Sequence, residues 1–228
     1  MVFQKKFLLF GILPALLFQV VGATLYFEVW PLEPLGKAIY LATKVLLLMW
    51  PLLWWKSIKT PLQIRSKKPS RDTVYGLISG ILLSLGLVLV FIIFPNKEAL
   101  TLQIQNKADA YLDLSLQLYI LFSLFLSLAH SLLEEYYWRW FSVKSLTQHC
   151  SPNTAILIGN LGFSAHHFII INAFMGPVWA VLGTFGVFLG GLTWSWLYKK
   201  SDSLFASWIS HICVDATIMG IGYLLLFT

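Results

Sequence analysis

Seven apolar stretches, most of them about twenty residues long and separated by short polar breaks, constrain this chain more than any other feature. They run over about 7–26, 38–55 and 73–95, then from Leu114, from Pro152 to about Asn172, from Pro177 to Lys199-Lys200, and over about 203–227. At 1.5 Å per helical residue, such a run spans the ~30 Å hydrocarbon layer of a bilayer. Lipid offers the backbone no hydrogen bonds, so only helices and closed barrels cross it, and these runs are helix-length rather than short and alternating. The fold class expected is all-α: a polytopic membrane helical bundle of about seven transmembrane helices. A mean hydropathy of +0.76 over 228 residues excludes a soluble domain of this size.

The breaks between runs set the topology. The formal charge is +6, but the basic residues lie between apolar spans and form no single soluble face, which argues against nucleic acid as a partner. With the N-terminus inside, twelve of the sixteen Lys and Arg fall on the cytoplasmic side, three outside, and Lys44 within a span. The basic segment Lys56 to Asp72 is then an inner loop. The mixed-charge segment 96–113, with Lys97, Glu98, Lys107, Asp109 and Asp113, is an outer loop, and the C-terminus faces out. Lys5 and Lys6 before the first run, with Gly22 and Ala23 near its end, also fit a cleaved signal; the number of spans that follow favours a retained anchor. No long linker or strong internal repeat divides the chain. The expectation is a single membrane domain over 1–228, with three N-terminal spans and loops over 1–112 and a catalytic helical core over 113–228.

Small residues mark where helices approach. Gly186 and Gly190 stand four apart in the sixth span, the close-approach pattern for a helix pair, and Gly159 and Gly162 are read the same way in the fifth. Ser151-Pro152 is a serine N-cap with proline in the first turn. Cys150 and Cys213 form no disulfide framework or Cys-rich metal site.

Ionisable groups at membrane depth need a reason, because each costs roughly 2.5 kcal/mol or more. The stretch from Ala129 to Trp140 carries Glu134 and Glu135 at the end of an apolar run. Glu135 and Arg139 stand at i and i+4, the acid-first order of a helical ion pair. Glu134 lies about 100° round the helix and is left unpaired. His130 lies on the same run, and two further spans contribute His166, His167, His211 and Asp215. Measured from a turn near Cys150 and Ser151, Glu134 and His167 are each about sixteen residues away, so an antiparallel hairpin levels them at ~24 Å. Phe163 with His167 and His211 with Asp215 are each i, i+4 pairs. Phe163 is expected to pack under the His167 ring, and Asp215 to orient His211. The 100° rule turns His166 away from Glu134 and leaves it a supporting role, while His130, one turn before Glu134, is within reach of it.

Three motifs carry a family resemblance: Glu134-Glu135-x-x-x-Arg139, Phe163-x-x-x-His167 and His211-x-x-x-Asp215, in this order on separate apolar helices. Together they resemble the intramembrane glutamic proteases known as the CPBP or Abi family, which includes CAAX prenyl endopeptidases and bacterial bacteriocin-processing or self-immunity proteins. The similarity spans about 129–219, and the first three spans add nothing to it. It implies hydrolysis of a peptide bond in a membrane-associated protein or peptide. Glu134 and His167 would hold and deprotonate a water, and His211 and Asp215 would serve the oxyanion, with no cofactor. The chain departs from the prenyl endopeptidases at Asp215, where they typically carry Asn; an ionised Asp cannot donate to an oxyanion, which leaves His211 as the donor. The implied setting is a bacterial cytoplasmic membrane, and the oligomeric state is left open.

Three rival readings share these residues. Glu134, His167 and His211 offer the three ligands of a catalytic zinc, although no His-Glu-x-x-His motif is present. Buried acids and histidines also form proton relays in transporters, but a relay needs a path through both leaflets. The third is a catalytically silent immunity or scaffold protein, against which the intact motifs argue.

Overall fold

The computed structural model describes residues 5–93, 97–111 and 115–228, and it is helical throughout apart from connections. Seven helices are long and apolar enough to span a membrane: α1 (Phe7–Val29), α2 (Pro34–Leu53), α3 (Pro69–Ile93), α5 (Leu116–Leu146), α6 (Pro152–Met175), α7 (Pro177–Ser201) and α8 (Phe205–Phe227). The expected number and order of spans hold. Between α3 and α5 lies α4 (Lys97–Tyr111), a polar helix where the sequence suggested a loop. Its Gln105 Nε2 donates to the Leu225 carbonyl at 2.9 Å, tying it to the end of α8. Hydropathy alone does not separate a short polar helix from a loop. Pro95, Asp113 and Leu114, used above to bound the third span, the outer loop and the fourth run, lie outside the described residues.

Capping follows local sequence. Ser151 accepts from the Thr154 backbone N–H at 3.3 Å and Pro152 opens α6, as expected. Gly176 ends that helix at φ +82°, where a side chain would be strained, and Pro177 starts α7.

Packing departs from the sequence reading in one respect. A Cβ on Gly186 would meet nothing within 4 Å, so the Gly186/Gly190 pattern does not join two helices. The close approach is instead between α3 and α8, where a Cβ on Gly76 would lie 2.7 Å from the Ala206 carbonyl oxygen and one on Gly80 2.8 Å from Cys213 Cβ. Ser79 and Ser210 hydroxyls pair across this seam at 3.1 Å. Gly159 and Gly162 do serve their expected purpose, meeting Val143 and Trp138 of α5.

The N-terminal helices are bonded to the motif-bearing ones rather than set apart. Tyr137 of α5 donates to the Ala15 carbonyl of α1 at 2.8 Å, and Tyr136 to the Leu48 carbonyl of α2 at 3.3 Å. The basic segment between α2 and α3 is held as well, since Trp140 Nε1 donates to the Thr60 carbonyl and Leu204 N to the Gln63 carbonyl.

Candidate active site

Helix α5 is regular over Ser131–Glu135 and opens into wider i→i+5 turns on both sides, over Phe125–His130 and Tyr136–Val143. Such π turns concentrate at functional sites, and no residue type in the stretch announces them. The short regular segment presents Glu134 and Glu135 to different neighbours. Both are buried, at 4% and 0% exposure.

Glu135 does two things at once. Its Oε1 lies 3.4 Å from Arg139 Nη1, the expected i, i+4 pair, with Arg139 also fully buried. The same oxygen accepts from His211 Nδ1 at 3.0 Å. Arg139 is held in turn by the Gly191 carbonyl at 3.4 Å and by the rings of Phe163 and Trp194, 4.5 and 5.2 Å from its guanidinium carbon. The pair therefore stands on α6 and α7 as well as on its own helix.

Glu134 sits among four imidazoles. His166 Nε2 is 3.8 Å from Oε1, His130 Nδ1 is 4.0 Å from the same oxygen, and His211 Nε2 is 3.7 Å from Oε2. Ligand atoms of Glu134, His166 and His167 all lie within 4.8 Å of one another. His166 is thus a neighbour of Glu134, contrary to the expectation that it turns away. Adjacent residues on a helix do diverge by about 100°, but Glu134 sits between the two directions and meets both rings. His167 Nδ1 is bonded to the Phe163 carbonyl at 2.9 Å; a carbonyl only accepts, so the ring proton is on Nδ1 and Nε2 is left open. Phe163 contacts the His167 ring as expected, edge-on at 4.8 Å between centroids.

Asp215 is where the sequence reading needs correction. Its Oδ1 lies 3.6 Å from His211, as the i, i+4 spacing requires, but from Nε2, the nitrogen that also faces Glu134. The nitrogen an orienting acid would hold, Nδ1, belongs to Glu135. Orientation of His211 therefore comes from Glu135 and from Trp194, whose ring stacks on it at 3.8 Å and 15°. Asp215 borders the site, with a side chain 20% exposed. Trp194 gave no signal in the sequence, since a tryptophan in an apolar helix is most simply a packing residue. It is fixed by its own Nε1–H, which donates to Ser210 at 3.1 Å.

With this geometry in place, comparison with known proteins adds a family. Residues 116–217 match the type II CAAX prenyl endopeptidase Rce1-like family. This segment is CAAX protease-like. The match covers under half of the chain, from the start of α5 to Thr217, and contains every residue of the three motifs. Searches among curated proteins and solved structures return no match. The seven apolar helices describe an integral multi-pass membrane protein, and the CAAX protease-like segment begins at the start of α5 and ends within α8.

Proposed function

We propose that the chain is an intramembrane endopeptidase of glutamic type, cutting a peptide bond of a membrane-associated protein or peptide with a water activated by Glu134 and His167. The observation that carries this is Glu134 buried among imidazoles while its neighbour Glu135 is spent on Arg139 and His211. One carboxylate is structural and the other is free for chemistry. His167, its Nδ1–H given to Phe163, offers Nε2 to hold a water beside Glu134. Glu134 takes a proton from that water as its oxygen attacks the scissile carbonyl, and returns it to the leaving amine. The tetrahedral oxyanion is met by His211. With Nδ1 donating to Glu135, the donor at Nε2 is the imidazolium form. Glu135 and Trp194 fix the ring, and Asp215 lies beside Nε2, at the mouth of the site. His166 and His130 brace the Glu134 carboxylate.

We further propose that 1–228 acts as one membrane domain, with residues 113–228 as its catalytic core. The bonds from Tyr136 and Tyr137 to α2 and α1 support this. The site opens to the cytoplasm, in keeping with the basic loops on that side.

A metal-assisted reading has a specific observation behind it: Glu134, His166 and His167 have ligand-capable atoms within 4.8 Å of one another, and the Nδ1–H of His167 is bonded to a backbone carbonyl, as in many metal-binding histidines. This set replaces the Glu134, His167 and His211 set suggested by the sequence, because Glu135 takes His211 Nδ1 and its Nε2 is shared between Glu134 and Asp215. The test of the main reading is a cell whose copy carries Glu134→Gln. The variant inserts and purifies normally, and membrane-associated proteins that the native protein cuts accumulate uncut. Undiminished cutting by the variant refutes Glu134 as the base.

A further inference from the structure

Lys44 lies in the middle of α2, outside the CAAX protease-like segment, and its side chain reaches α1. Its Nζ donates to Gln19 Oε1 at 3.0 Å, and Gln19 is itself 1% exposed on α1. Gln19 is fixed by donating its Nε2 to the Thr43 carbonyl at 2.6 Å, and Lys44 is further held over the Tyr40 ring at 4.8 Å. α2 packs directly on the Ser131–Glu135 segment of α5. That contact sets the helix bearing Lys44 against the segment that carries Glu134.

Among the described residues no carboxylate forms an ion pair with Lys44. An ammonium has three donors, and Gln19 takes one. Two donors are left on a cation that the fold fixes on the helix packed against the proposed base's segment. A part-buried cation in a span without a counter-ion is unfavourable, and is kept where an anion arrives with the ligand.

We propose that Lys44 is an anion subsite of the Glu134 centre, which takes a carboxylate of the peptide substrate, either its free C-terminus or an acidic side chain close to the cut. This rests on the peptidase reading above and deepens it. Extended peptide covers ~3.3–3.6 Å per residue, so the carboxylate belongs within a few residues of the scissile bond. The ammonium's two spare donors would replace the water that a carboxylate gives up on entering the bundle, and an uncharged end would gain nothing there.

Binding to the full chain carrying Glu134→Gln, in zwitterionic lipid nanodiscs, tests this without turnover. The probes are three dansylated hydrophobic hexapeptides: one with a free C-terminal carboxylate, its C-terminal amide, and the amide with a single glutamate at the penultimate position. At least one carboxylate-bearing probe is expected to bind about tenfold tighter than the neutral amide. Whichever does so identifies the source of the carboxylate. Adding Lys44→Met levels all three, and Lys44→Arg keeps the preference. If Lys44→Met does not accumulate, Lys44→Gln, which keeps a donor for Gln19, gives the same comparison. Equal binding of all three probes with Lys44 present, or a preference that survives its replacement, overturns the subsite. If Lys44 only ties α2 to α1 through Gln19, its loss changes all three probes alike, which also overturns the subsite. A chain with Glu134 in place that binds selectively but never cuts defeats the peptidase reading and leaves the subsite standing.

Discussion

Replacing Arg139 by alanine should destabilise the protein far more than removing the proposed catalytic base. Arg139 and Glu135 are both fully buried and lie 3.4 Å apart, so the substitution leaves a carboxylate in the bundle with only the His211 ring beside it. Breaking a buried pair from one side costs about 3–5 kcal/mol. The guanidinium also lies over Phe163 and Trp194, which adds roughly 0.5–2 kcal/mol. A loss of about 4 kcal/mol or more is expected, near a thousandfold in the folded population. Reversible denaturant titration in mixed micelles, followed by tryptophan fluorescence, measures it. The double change Arg139→Met with Glu135→Gln leaves no orphaned charge, and should lose at least about 2 kcal/mol less than the sum of its single changes. A loss for Arg139→Ala below about 1 kcal/mol, or strict additivity, would refute the view that this pair holds the site together.

Peptide hydrolysis should persist in EDTA or phenanthroline; loss on chelation that zinc restores would establish the metal-assisted reading in its place. Gly80→Leu should separate α3 from α8 and lower stability, whereas Gly186→Ala, with nothing within 4 Å of its Cβ, should be within about 0.5 kcal/mol of the native protein by the same titration. In a background lacking Cys150 and Cys213, Lys144→Cys and Lys200→Cys should react with an impermeant thiol reagent only in inverted vesicles, and Lys107→Cys only in intact cells; labelling of Lys144→Cys from outside would reverse the topology.

The sequence by itself determined the number and order of the spans, because a membrane crossing is a local property: length and hydropathy of one segment suffice. It also determined which residues converge. The i, i+4 pairs Glu135/Arg139 and His211/Asp215 are one-helix geometry, and the matched distances of Glu134 and His167 from one turn levelled them across a hairpin. What it did not contain is how side chains meet between helices. The 100° separation of His166 from His167 is true of their own helix, yet says nothing about where Glu134 stands between them. Which acid holds His211 depends on the rotation of α5 against α8, and the answer is Glu135 rather than the residue one turn along the same helix. Gly186/Gly190 and Gly76/Gly80 are equally good patterns, and only packing decides which pair faces a neighbour. Lys44 shows the same division: its presence in a span is legible from composition, but its bond to Gln19 and the packing of its helix on the Glu134 segment depend on α1 and α2 folding back against α5.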